Sequence, residues 1–137
     1  VTWDLRSEEV DRSVSLVARQ PAVRAAMRRR QQEIGERGGV VMVGRDIGTV
    51  VLPNAQLKIS LQAPLEERAR RRWLELRAKQ DSPPTFEEVL ADVQRRDALD
   101  SAQSKPAQDA VIIQTDSFSV EQVIERILEL VRQVPIP

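Results

Sequence analysis

Apolar positions along this chain alternate between a helical interval and short unbroken runs. Behind Ser7, whose hydroxyl can cap a first turn holding Glu8 and Glu9, Val10, Val14 and Val17 recur on one face and predict a helix to about Arg19. Pro21 opens a second helix through Val23, Met27 and Ile34, basic at Arg24, Arg28, Arg29 and Arg30 and stopped by Gly38 and Gly39. Val40–Val43 is an apolar run between glycines, the pattern of a strand covered on both faces in a parallel sheet. Residues 57–61 alternate like a second strand, and Pro64 then opens an arginine-rich helix from about Leu65 to Lys79, ended by Asp81-Ser-Pro-Pro84. Thr85 with Glu88, and Ser119 with Gln122, have capping-box spacing for helices to about Asp100 and through Val131. Val111–Ile113 between them reads as a third strand. Strands alternating with helices predict an α/β fold with a parallel sheet, parsed as one domain with an arginine-bearing flap hinged at the double proline.

Composition narrows the chemistry. The 137 residues are 41% hydrophobic and 31% charged, as in ordinary globular proteins. Twenty-one basic residues balance 21 acidic ones, so the total charge draws the chain to neither nucleic acid nor an anionic membrane. No apolar run is long enough to span a bilayer and no signal-like segment opens the chain, which fits a cytoplasmic protein. Without cysteine or histidine, thiolate nucleophiles, sulfur-built metal sites and the imidazole base are excluded, and no metal-ligand set is assigned. Phosphoryl transfer remains open, because positioning and charge stabilisation do most of its work.

In open α/β sheets ligands bind beyond the carboxyl ends of the strands, where Gly44, Arg45, Asp46, Gly48 and Thr49 are expected. Arginine offers a planar fork for phosphate and aspartate accepts from an exocyclic amine. On chemistry alone, an ion pair at a tight turn explains Arg45 and Asp46 equally well. Arg96 and Asp100 lie four apart on one helix face, and their spacing alone gives no more than a surface pair of about 0.3–0.5 kcal/mol. Trp3 and Trp73 could stack on a base, but isolated tryptophans in a chain this poor in aromatics read as packing, and neither is given a role.

Residues 39–53 read Gly-Val-Val-Met-Val-Gly-Arg-Asp-Ile-Gly-Thr-Val-Val-Leu-Pro, which closely resembles the Gly-Arg-Asp-x-Gly-Thr-Val-Val-x-Pro signature of bacterial cytidylate kinases. The resemblance extends through Leu5–Val10, Ser15, Pro21-x-Val23-Arg24, Glu66-Glu67-Arg68-Ala69-x-Arg71-Arg72, Arg95-Arg96-Asp97-x-x-Asp100 and Ala107-x-Asp109-Ala110-Val111, covering essentially the whole chain. It implies ATP-dependent phosphorylation of CMP or dCMP, with ATP and Mg2+ as the donor pair. By the same resemblance Ser15, Arg24 and Asp46 surround the cytosine, Arg45 and Arg96 hold the acceptor phosphate, and Asp100 stands at the ribose. Arg68, Arg71 and Arg72 fall on a lid that neutralises charge on the transferring phosphoryl group. Arg70 and Arg77 are expected on a solvated face, as are Arg28–Arg30, with a place beside the site as the alternative for Arg28.

The implied fold is a P-loop nucleoside monophosphate kinase-like parallel sheet flanked by helices. It is incomplete, because the central P-loop strand between the equivalents of residues 40–43 and 57–61 is absent. Residues 1–137 form one incomplete kinase domain, with 1–39 on the helical, monophosphate side and 65–84 as the lid-like segment. No Gly-x-x-x-x-Gly-Lys-Ser/Thr loop occurs, and the chain begins at Val1 as though a longer protein preceded it. A gap flanked by strand edges is an aggregation hazard, so a missing amino-terminal segment of the same protein, or self-association, is expected to close it. The chain alone is therefore expected to be inactive, and the competing class is a shortened homologue, or half of a split protein, that binds CMP or a partner without transferring phosphate. Two departures from the family pattern stand out: a short loop with Gln103 where many members place arginine, near Lys105, and Gln114 where aspartate is common. The expected partners are the small nucleotides CMP, dCMP and ATP, without nucleic acid or membrane.

Overall fold

The computed structural model describes residues 13, 17–18, 20–100 and 105–135. Most of the helix expected over residues 7–19 lies outside them, although residues 13, 17 and 18 are helical. Helix α1 spans Pro21–Glu36, with proline in its first turn, where a missing N–H costs nothing. It stops where Gly38 and Gly39 take φ of 71° and 61°, a conformation that penalises any side chain with a Cβ. Near its end, Gly35 lets the helix meet Leu52 so closely that a Cβ at Gly35 would collide with the leucine side chain.

Strand β1 (Ile59–Gln62) pairs in parallel with β2 (Val111–Gln114), with Ile59 opposite Val111 and Gln62 opposite Gln114. Between them lie α2 (Leu65–Lys79) and α3 (Phe86–Asp100), packed on one another as a hairpin, and α4 (Val120–Gln133) follows β2. Both expected capping boxes form. Thr85 N donates to Glu88 Oε2 at 2.8 Å while Glu88 N donates to Thr85 Oγ1 at 3.3 Å. Ser119 N donates to Gln122 Oε1 at 2.8 Å and Gln122 N to Ser119 Oγ at 3.3 Å. This is an α/β architecture with a small parallel sheet flanked by helices.

The core among the described residues is thin: Val51, Ala69, Val89 and Ile113 are its buried apolar members. Ala69 and Val89 bring α2 and α3 together, and Trp73 closes their far end against Phe86, edge to face with centroids 6.2 Å apart. The Arg77 guanidinium lies over the indole, 4.6 Å from the ring centroid, so Trp73 is a packing residue here.

Val40–Val43 departs from its expected strand. It runs as irregular backbone, with Val41 and Val43 91% and 92% exposed. A strand is held by hydrogen bonds to a neighbour, and among the described residues β1 and β2 pair with each other and with no third strand. An apolar run without a partner strand has the composition of a strand but not the bonds that make one.

Candidate functional site

After Gly44 the chain turns sharply. The Asp46 carbonyl accepts from both Val50 N at 2.8 Å and Val51 N at 3.2 Å, and Ile47 O accepts from Leu52 N at 2.7 Å. The two bonds that span five residues, from Val51 N and Leu52 N, wind Ile47–Val51 into a single π-helical turn, a geometry common at functional sites. Buried Val51 and the Leu52 contact with Gly35 seat the turn against α1. That packing brings Arg24 of α1 to Asp46, with guanidinium and carboxylate 3.8 Å apart and 46% and 31% exposed. A cation and an anion loosely paired and open to solvent can be parted by a ligand offering better hydrogen bonds to each.

Across the sheet ends stands a second group of charges. Arg68 of α2 donates to Asp97 of α3 through both arms of its fork, at 2.8 and 2.6 Å, and its Nε donates to Ala63 O at 3.1 Å. Asp97 titrates below the ordinary carboxylate range, first because of the Arg68 hydrogen bonds and further because of the Arg68 and Arg45 charges. Arg45 is thus within electrostatic reach of the α2–α3 pair. Arg71 donates to Thr115 Oγ1 at 3.0 Å, to Thr115 O at 2.6 Å and to Glu67 at 2.7 Å, tying α2 to the carboxyl end of β2. Glu67 also takes Arg70, and the two guanidinium groups, Arg70 first, hold its carboxyl at about 2. Arg72 pairs with Glu75 at 2.8 Å, and Arg96 with Asp92 at 3.1 Å.

Of the residues singled out by sequence, Arg24 and Asp46 meet, and Arg45 shares the field of Asp97. Arg68 and Arg71 line the junction of α2 with the strand ends, while Arg72 and Arg96 engage acidic neighbours on their own helices. Ser15 and the side chain of Asp100 lie outside the described residues, as does Gln103. Arg70 pairs with Glu67 and Arg30 with Glu33 on solvated faces, as expected for them. Asp97, Thr115 and the Lys58–Asp109 pair join these contacts without a role legible from the local sequence. Asp97 and Asp109 sit inside the quoted motifs, and that was their available signal. Among the described residues no group of three or more acidic, histidine or cysteine side chains could hold a metal ion, and no helix is long and apolar enough to cross a membrane.

A parallel strand pair, a glycine-bounded turn presenting Arg45 and Asp46 beyond α1, and an arginine-rich helical hairpin over the strand ends define part of a nucleoside monophosphate kinase-like α/β fold. The comparison with known proteins is more specific: the cytidylate kinase family model matches residues 1–133. The cytidylate kinase of Chloroflexus aggregans is 55% identical over 128 residues, covering 93% of this chain and 55% of that protein. That of Herpetosiphon aurantiacus is 53% identical over 131 residues, covering 96% and 57%, and that of Bacillus subtilis 46% over 137 residues, covering 97% and 61%. The chain belongs to the cytidylate kinase family, and it spans between 55% and 61% of the length of these curated relatives.

Proposed function

We propose that these residues form the acceptor and lid portion of an ATP-dependent CMP/dCMP kinase that works in the cytoplasm. The observation that carries this reading is the Arg24–Asp46 pair, seated by the π-helical turn of the Gly-Arg-Asp-x-Gly-Thr signature in a member of the cytidylate kinase family. Cytosine presents an amine where uracil presents a carbonyl, so an ionised Asp46, which only accepts, favours cytosine. Ser15 and Arg24 complete the base contacts, and Asp100 takes the ribose. Arg45 and Arg96 hold the acceptor phosphate, giving up the Asp97 field and the Asp92 pair respectively for a more highly charged partner.

In the reaction an acceptor phosphate oxygen attacks the γ-phosphorus of ATP in line. The new O–P bond forms as the bond to the β-phosphate oxygen breaks, and ADP leaves with that electron pair. Arg68, Arg71 and Arg72 offset the charge spread over the transferring oxygens. Their bonds to Asp97, Thr115, Glu67 and Glu75 would then be those of a ligand-free arrangement. Closing the arginine-bearing segment 65–84 would also exclude water that could intercept the phosphoryl group.

The described residues do not fit a resident divalent cation. Mg2+ would be held by the ATP phosphates, where it would help offset their charge. The donor phosphates likewise need a lysine-ending glycine loop from elsewhere in the same polypeptide or supplied in trans, so the 137 residues alone bind the acceptor without turning it over.

The test is Asp46→Asn in the full polypeptide, with kcat/KM measured for CMP and UMP. Asparagine offers an N–H to the uracil carbonyl, and the CMP-over-UMP ratio is expected to fall roughly tenfold or more, within the range of one good base-edge contact. An unchanged ratio would overturn the assignment of Asp46 to the base.

A further inference from the structure

Lys58 is the least exposed cation among the ion pairs of the described residues: its side chain is 9% accessible, and every bond it makes concerns the turn that carries Arg45 and Asp46 or the anchor of that turn. Its ammonium donates to the carbonyl of Pro53, just beyond the π-helical turn, and to both carboxylate oxygens of Asp109 at 2.9 and 2.7 Å. Its methylene stem lies against Gly48 in the middle of the turn, where an added Cβ would stand 3.3 Å from Lys58 Cδ. Asp109 precedes β2, and Val111 N donates to Lys58 O at 2.9 Å, so the backbones bearing the two partners are joined as well. The Asp109 carboxyl is held below its ordinary range, chiefly by this lysine.

The geometry points to Lys58, with Asp109 as its anchor, as a positioning residue for acceptor binding. It fastens the Ile47–Val51 turn to the sheet at the turn's middle and end, and so fixes where Arg45 and Asp46 present their side chains. This role rests on the functional reading above. Lys58 touches neither substrate nor reacting atoms. Its effect runs through the backbone: Pro53 and Gly48 are held by the side chain, and between Asp46 and Leu52 the wide hydrogen bonds transmit that constraint to Asp46. A long flexible amine suits the task, because its stem packs on a glycine while its head satisfies a carbonyl and a carboxylate together.

The experiment uses the full polypeptide with Lys58→Met, which keeps the stem and removes the donor, alongside Lys58→Arg and Asp109→Asn. In Lys58→Met, KM for CMP is expected to rise about tenfold or more, since small misplacements remote from the chemistry cost up to roughly a hundredfold. KM for ATP should stay within about twofold by the same logic, because neither Lys58 nor Asp109 bonds to any of the arginines assigned to the transferring phosphoryl group. Lys58→Arg should recover part of the CMP affinity, and Asp109→Asn should shift it in the same direction by less. Parallel rises in both KM values, or a loss of kcat alone, would mean a general folding role and overturn the proposal.

Amide exchange at Val50, Val51 and Leu52 provides a readout independent of substrate. It should accelerate in Lys58→Met, or in Asp109→Asn if the methionine variant does not fold, and unchanged exchange would overturn the clamp. If the unsubstituted protein does not phosphorylate CMP, the functional reading fails and the exchange data alone decide whether Lys58 orders the turn.

Discussion

The pair that joins α2 to α3, Arg68 with Asp97, allows a quantitative test of whether Arg68, proposed as a lid arginine, is free to change partners. Its geometry is that of a strong interaction: two parallel bonds of 2.8 and 2.6 Å between a planar fork and a carboxylate. Its surroundings argue otherwise, since the side chains are 38% and 46% exposed and water screens both charges. Exposed pairs are worth about 0.2–1 kcal/mol, and the bidentate geometry puts this one toward the upper end of that range. A double-mutant cycle of Arg68→Met and Asp97→Asn, read by urea denaturation at pH 7, should therefore give a coupling of about 0.5–1 kcal/mol. For a chain of 137 residues the corresponding melting shift is roughly 1–4 °C.

The sign with pH follows from Asp97, whose folded value lies below its ordinary 3.8. The unfolded state takes up its proton first, so the coupling is fully present above that ordinary value and is lost as pH falls through the lowered folded one. A coupling above about 2 kcal/mol would show a desolvated latch too costly to open in each turnover of the proposed reaction. A coupling that persists unchanged in acid would show that the charge pair is not its source.

Two further predictions concern elements around the site. Ser119→Ala removes the acceptor for Gln122 N and breaks the capping box of α4, and should lower the unfolding free energy by about 1 kcal/mol in chemical denaturation; a change under a few tenths would deny the cap its role. Glu67→Gln releases Arg70 and Arg71 from a carboxylate whose folded pKa is about 2 against an ordinary 4.5. The melting difference between wild type and variant should be full above pH 4.5 and fade as pH falls toward 2, whereas a pH-independent difference would locate its origin in packing.

The helices were largely readable from local signals. Proline in the first turn of α1, paired glycines after it, and Thr/Glu and Ser/Gln spacings before α3 and α4 each satisfy backbone groups within a few residues, so the sequence carries the whole cause. Val40–Val43 shows the limit, because a strand depends on a neighbour and the run does not specify whether one pairs with it. The site divides along the same line. Arg24 and Asp46 lie in motifs and could be named together, but their contact depends on Gly35 admitting Leu52, a packing event between segments 17 residues apart. Lys58 and Asp109 are 51 positions apart and Arg71 and Thr115 are 44 apart. No local periodicity joins such residues; the β1–β2 register and the α2 crossover bring them together.

The most direct test of the acceptor-site assignment is calorimetric titration of the purified 137-residue chain with CMP, UMP and ATP, once circular dichroism has established that it is folded. Selective heat of binding for CMP, weak or no binding of UMP and none of ATP is the predicted result, because in the proposed reading the Arg24–Asp46 turn recognises the acceptor and these 137 residues hold no lysine-ending glycine loop to take the donor. A folded chain that ignores all three nucleotides, or takes CMP and UMP alike, would contradict it.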